Sequence, residues 1–208
     1  MSPRMVLVAA IFILPSVCHA QKPPDDTQSP STSICVSSED DAAIYSAALT
    51  KVILKDRKDQ HQVVLLSQTS TAYPPGLGAF TSLAKPDRKQ LLDSAAIVTK
   101  NDFDAKAKLD CDLTTITTLS ANVAFVSPKE RDELFSKASE WKDFAQKYPN
   151  ASGFTIVSAI GFNHPHDQAL VYVGNSCGML CGAGYVVLLE KKKDKWIAAK
   201  IAKIWSAS

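Results

Sequence analysis

The chain has 208 residues, 46% of them hydrophobic and 21% charged, with 23 basic against 21 acidic side chains. This is an ordinary globular composition, and a net charge of +2 with no extended basic run leaves no field of the kind that dominates nucleic-acid binding. Only 8 Gly, 11 Pro and no fixed-period self-similarity exclude collagen-like and solenoid architectures.

Residues 1–20 read as a signal peptide: Arg4 supplies the positive start, Met5 to Leu14 form an unbroken apolar run, and Pro15 ends it before Cys18-His19-Ala20. Cleavage is expected after Ala20, because Cys18 and Ala20 are the small residues at the two positions a signal peptidase reads. The apolar run covers about 15 Å as a helix, roughly half of a bilayer's hydrocarbon thickness, so no transmembrane span is expected. A lipid anchor through Cys18 would need a small residue before it, where Val17 stands. The expected location is therefore periplasmic or extracellular. Residues 21–38 read as a disordered tether, Pro- and Ser-rich with Lys22-Pro23-Pro24-Asp25-Asp26 at its start. Residues 39–208 are expected to form a single domain, of a length that buries roughly 70% of its unfolded surface.

Glu39-Asp40-Asp41 place acids at a helix start, and Ile44, Tyr45, Ala48, Leu49, Val52 and Ile53 follow at helical spacing, predicting a helix to Lys55. Residues 61–69, around Val63-Val64-Leu65-Leu66, read as a strand. A loop follows from Ser70 to Pro86, holding Tyr73-Pro74-Pro75-Gly76-Leu77-Gly78. Its length is unusual within a domain and makes Tyr73 and Leu77 a candidate binding loop. Pro86-Asp87 opens a second helix through Val98, with Asn101 as its stop. Cys111 to Leu119 is expected to be extended, and 122–127 is a second short apolar run. Ser127-Pro128-Lys129-Glu130 carries an N-cap, a proline at the first helical position and a capping-box acid. Leu134, Ala138, Trp141, Ala145 and Tyr148 continue that helix to Pro149, burying a face that carries Trp141.

From Phe154 the period becomes two. Phe154, Ile156, Ser158, Ile160 and Phe162 fall on one face of a strand, and 168–174, 185–191 and 195–205 supply three more in an antiparallel meander. Helices early and strands late predict an α+β fold, helices packed on a curved, mainly antiparallel sheet. A cystatin-like or nuclear-transport-factor-like cone is one such arrangement.

Four constellations could carry chemistry. Gly174-Asn175-Ser176-Cys177-Gly178 fits the Gly-x-Ser-x-Gly elbow, but a strand rather than a helix follows it and no His lies after His166. Cys177 and Cys181 have one residue more between them than a redox dithiol and lack its βαβ setting. An exported chain would hold four cysteines, Cys35, Cys111, Cys177 and Cys181, as disulfide candidates. Of three pairings, Cys177 with Cys181 and Cys35 with Cys111 is preferred; loop entropy assigns about 2 kcal/mol to the short bridge and about 4 to 5 to the long one. His164-Pro165-His166-Asp167 with those thiols has zinc-ligand types, but the prolyl turn and an oxidising compartment favour a solvated turn. Lys191-Lys192-Lys193-Asp194-Lys195 reads as a solvated hairpin tip that could assist adsorption to an anionic surface without anchoring the protein. His61 stands alone, and Trp141, Trp196 and Trp205 sit at packing positions. No catalytic residue, cofactor or metal site is assigned.

The stretch Gly161-Phe162-Asn163, Gln168 to Gly174, Cys177-Gly178, Cys181-Gly182-Ala183-Gly184, Trp196 and Trp205-Ser206 resembles a family of bacterial exported proteins with no established activity. Ile44-Tyr45, Asp102-Phe103 and Trp141-Lys142-Asp143-Phe144 extend the likeness upstream. The resemblance implies a shared fold and an exported life, carries no catalytic residue across, and speaks against Asn150-Ala151-Ser152 being a glycosylation site. The expected function is that of an exported, non-catalytic binding or inhibitory module acting on a protein or a cell-envelope ligand, through a sheet face or the Tyr73–Leu77 loop. The alternative is a thiol redox protein using Cys177 and Cys181.

Overall fold

The computed structural model describes residues 39–55, 62–70, 86–106, 109–116, 118–119, 122–136 and 140–207. The expected signal peptide and tether, His61, Cys35, Tyr73 and Leu77 all lie outside them. The described residues form an α+β fold: five helices on a seven-stranded, mixed and mainly antiparallel curved sheet.

The first helix, α1 (Glu39–Leu49), continues into a π-helical turn, Thr50–Leu54. Ile44, Tyr45, Ala48 and Leu49 bury on the sheet, and the wider π turn keeps Ile53 buried there as well. Strand β1 (Gln62–Leu66) follows. The single helix expected after Pro86 is two, α2 (Pro86–Ser94) and α3 (Ile97–Lys106), with Asn101 inside the second. A distant side chain makes the break. The Gln168 Oε1 accepts from the Ala96 backbone N–H at 2.7 Å and the Thr99 hydroxyl at 2.9 Å, while its Nε2 donates to the Ser94 carbonyl at 3.3 Å.

The segment expected to be extended at 111–119 is not a strand. Gln68 and Asp112 form an isolated bridge, and the Asp112 Oδ1 folds back to accept from the Thr114 N–H and hydroxyl, starting a turn that Thr and Ile propensity does not announce. Strand β2 (Asn122–Val126) leads into α4 (Pro128–Leu134). The capping box forms as expected: the Ser127 Oγ accepts from the Glu130 N–H at 3.2 Å, and the Glu130 carboxylate takes a hydrogen bond from the Ser127 backbone. That helix stops at Phe135, and α5 (Glu140–Lys147) is separate. The heptad-like spacing spans both helices because their apolar faces share one cluster. There Phe135, Trp141, Phe144 and Phe154 meet at ring centroids of 5.0 to 6.0 Å.

The strand expected from Phe154 to Phe162 is interrupted. Strand β3 (Ala151–Val157) and β4 (Gly161–Phe162) both pair with β5 (Gln168–Gly178). Between them Ser158 passes half of its pairing to its side chain: its N–H still donates to the Tyr172 carbonyl at 3.1 Å, but its Oγ accepts from the Tyr172 N–H and donates to the Ala159 carbonyl, and its carbonyl accepts from the Tyr45 hydroxyl. The interruption changes the phase. Phe154 and Ile156 face one side, whereas Ile160 joins the core on the other. Strands β6 (Cys181–Lys192) and β7 (Lys195–Ala207) complete the expected meander.

Strand order is β2-β1-β3-β5-β6-β7, with β1 parallel to both β2 and β3. The two strand–helix–strand connections were not expected, because the central strands are too short to show a parallel signature. Val63, Leu65, Val171, Val173, Val187 and Leu189 pack against α1. The alternate residues of the same strands, among them Val64, Leu66, Leu170, Tyr172, Val186 and Leu188, pack beneath α2, α3 and α5. Both faces are covered, which is why β5 and β6 read as continuous apolar runs rather than alternations. A sheet face is therefore not available as the contact surface that the sequence suggests.

Candidate functional site

Strand β5 carries different chemistry at its two ends. Its eleven residues, Gln168–Gly178, span about 33 Å at roughly 3.3 Å per residue. The His164-Pro165-His166 turn lies before one end and the cysteine pair lies at the other, so strand length alone keeps the imidazoles away from the thiols. Ser176 lies about 26 Å along the same strand from Gln168, which likewise keeps it from both histidines. Ser176 sits in extended strand opposite Phe154 and Gly182, not on a strained elbow. Among the described residues no group of three or more His, Cys, Asp or Glu is placed to hold a metal.

At the cysteine end, Cys177 and Cys181 are disulfide-bonded, 5.0 Å apart at Cα, closing the β5–β6 hairpin across the Met179-Leu180 turn. Met179 is 88% exposed and Leu180 74%. Beside them lies a cleft of about 410 Å³ lined by Val52, Ile53, Leu180, Tyr185 and the two cysteines. Among the described residues no charged side chain lines it. Cys181 is exposed and Cys177 partly so. Cys111, fully buried, is also disulfide-bonded, and its partner lies outside the described residues.

The glycines of this hairpin make room for an aromatic pair. The Trp205 indole N–H donates to the Tyr172 hydroxyl at 2.8 Å. A Cβ on Gly174 would stand 2.7 Å from that hydroxyl, and one on Gly184 would fall inside contact distance of both partners. At Gly182 a Cβ would meet the Trp205 ring at 3.1 Å. Trp205 thus lies over a strip of strand that must be bare.

At the histidine end, a second cleft of about 450 Å³ is lined by Asn101, Asp102, Lys106, Phe162, His164 and His166 among others. Several of its polar groups are engaged within the fold. The Asp102 Oδ2 accepts from the Phe162 N–H at 2.7 Å and the Lys106 Nζ at 2.8 Å. His166, with φ of 55°, stacks on Phe162 at 4.6 Å, and the Asn163 side chain holds the turn through the Asp167 and Gln168 N–H groups. α3 crosses so close above β4 that a Cβ on Gly161 would enter the Phe103 backbone. Nearby, Asp40 at the start of α1 accepts from the Lys191 Nζ at 2.9 Å and the Trp196 indole at 2.9 Å. These hold its carboxyl below the usual range, the lysine contributing most.

The lysine-rich segment is the β6–β7 hairpin tip, as its sequence suggests. Lys193 and Asp194 both adopt positive φ, a two-residue turn of the kind that suits a twisted hairpin. Lys191 is not solvated display but the Asp40 partner. Trp196 is buried, Trp141 half-buried, and Trp205 packed on glycine, all structural placements. Sequence reasoning missed Gln168, Arg88 and Asp40. Gln168 and Arg88 are polar residues inside otherwise ordinary elements, and the sequence around Asp40 signals only a helix-start acid.

No protein-family model, curated protein or solved structure matches this chain.

Proposed function

We propose that this protein is an exported, non-catalytic binding module whose contact element is the disulfide-closed tip from Cys177 to Cys181. The observation that carries the reading is the exposure of two adjacent large apolar side chains, Met179 and Leu180, on a covalently closed turn. Burying each against a partner is worth about 1.5 to 3 kcal/mol. The bridge removes much of the ordering cost such a turn would otherwise incur on binding. From Gln168 to Leu189 no side chain is charged, so the hairpin itself brings no ion to be desolvated. Export is supported by the signal pattern of residues 1–20, by the disulfides and by the resemblance to bacterial exported proteins. No described helix is long and apolar enough to cross a membrane. The periplasm or the cell exterior is the location proposed, and a protein or cell-envelope ligand the partner.

The test is a photo-crosslinking residue at position 179 in the full chain, activated in an exporting host. A discrete adduct that disappears when Leu180→Ser is added supports the reading. A folded protein that yields no adduct, or the same adducts without Leu180, overturns it. Exposure of Cys181 favours one second reading, thiol exchange at the same bridge. Against it, no cation among the described residues lines the cleft to hold a thiolate. A Cys181→Ser variant that traps mixed disulfides with host proteins would place redox chemistry ahead of binding.

A further inference from the structure

Strand β7 is the outer strand on its side of the sheet, and most of it is guarded. Its register against β6 shifts twice, leaving Ala199 and Ile204 without partners there. Such irregularities twist an edge away from further pairing. Over the second, Arg88, only 4% exposed, donates from Nε to the Lys203 carbonyl at 2.9 Å and from a terminal nitrogen to the Ile204 carbonyl. The first four residues are different. Lys195 to Ala198 pair in unbroken register with Lys192 to Leu189, and among the described residues no strand lies outside them.

This unguarded stretch borders a groove of about 800 Å³, larger than either cleft described above. One wall is α1, where Ala43, Ser46 and Ala47 are small enough to leave the space open. The other is the strand itself, with Ile197 39% exposed. Among the described residues the lining holds three lysines, Lys51, Lys55 and Lys195, against one acid, Asp194. Asp40, at the start of α1, does not offset them because Lys191 and Trp196 already occupy it. A charge placed to repel pairing would stand mid-stretch. Here Lys195 marks one end and the middle, Trp196-Ile197-Ala198, is apolar.

We propose that this groove receives an extended acidic segment of another polypeptide, added antiparallel or parallel to the Lys195–Ala198 edge. Backbone hydrogen bonds to the strand supply the register, and acidic side chains meet the lysines at the rim. A second copy of this chain would fit poorly, since it would bring the same lysines together. The groove shares no lining residue with the cleft at the hairpin tip, so the two surfaces can fail independently.

The probe is a fluorescein-labelled ten-residue peptide alternating Glu and Val, titrated with the full chain and followed by anisotropy. Binding should weaken at least tenfold in a Lys51→Glu, Lys195→Glu variant, whose substituted side chains are both exposed, and severalfold between low and moderate salt. A peptide N-methylated at alternate amides should not bind, and amide exchange at Lys195–Ala198 should slow when the unmodified peptide is present. Met179→Ser with Leu180→Ser should leave the affinity unchanged. The proposal is overturned by equal binding of a Lys-Val peptide, by unchanged binding of the methylated peptide or to the charge-reversed variant, by no binding at millimolar concentration, or by dimers in sedimentation that occupy the edge.

Discussion

Replacing Cys177 and Cys181 together by serine opens the β5–β6 hairpin while leaving the Cys111 bridge in place. The two cysteines are four positions apart, so the bridge closes a loop of about five residues, for which chain entropy assigns about 2 kcal/mol at 25 °C. In the native state little else should change. The β5–β6 ladder runs from Gln168↔Glu190 to Ser176↔Gly182 without the bridge, and Trp205 still covers Gly182 and Gly184. With a urea dependence of about 2 kcal/mol/M, the unfolding midpoint should fall by about 1 M at unchanged slope. Urea titration of the oxidised protein, followed by tryptophan fluorescence, measures it. A shift under about 0.2 M would mean the unfolded chain is not constrained by the bridge. A shift above about 2 M would mean the bridge organises native structure beyond the tip, and either result refutes the reasoning.

Gln168→Ala should cost about 2 to 3 kcal/mol, because it removes the cap of α3 and strands the Ala96 N–H and the buried Thr99 hydroxyl, while Gln168→Glu, which keeps the acceptor, should recover most of it. Amide exchange at Ala96 to Thr99 reads the effect directly, and unchanged protection in the alanine variant would show that the helix break is intrinsic. The Asp40 carboxyl is held below its ordinary value by Lys191 first and the Trp196 indole second, so its contribution is present above about pH 4 and disappears as pH falls through the depressed value. Because the Lys191–Asp40 pair is about one-third exposed, Asp40→Asn should cost no more than about 1 kcal/mol at pH 7. Thermal melts across pH should show that deficit shrinking as pH falls below about 4; an equal deficit at pH 2.5 and 7 would assign it to geometry rather than charge.

How far the sequence is legible differs by element. The N-cap at Ser127, the meander from β3 to β7 and the lysine hairpin turn are readable because each depends on neighbours within a few positions. The helices split at Ala95-Ala96 and after Phe135 where periodicity is continuous, since an apolar stripe reports which residues bury, not whether one rod or two carry them. Ser158 hides the interruption of β3 for a similar reason: its alternation is locally perfect, and only a partner strand shows that its hydroxyl replaces a ladder bond. Of the candidate site, Cys177 and Cys181 are legible from spacing and an exported context. The exposure of Met179 and Leu180 is not, because apolar residues flanked by cysteines read equally well as core.

The sequence by itself determined the fold class, the approximate start of most elements and which cysteines could pair, because burial patterns, caps and turn residues act over short range. Only the tertiary structure decided what the C-terminal pattern is for. Gly161 lets α3 cross, Gln168 caps it, Gly174, Gly182 and Gly184 clear a bed for Trp205, and Asp40 finds Lys191 and Trp196 across more than 150 positions. Such pairings depend on where the chain returns in space, and a hydrogen bond between residues so far apart leaves no trace in the local order of either segment.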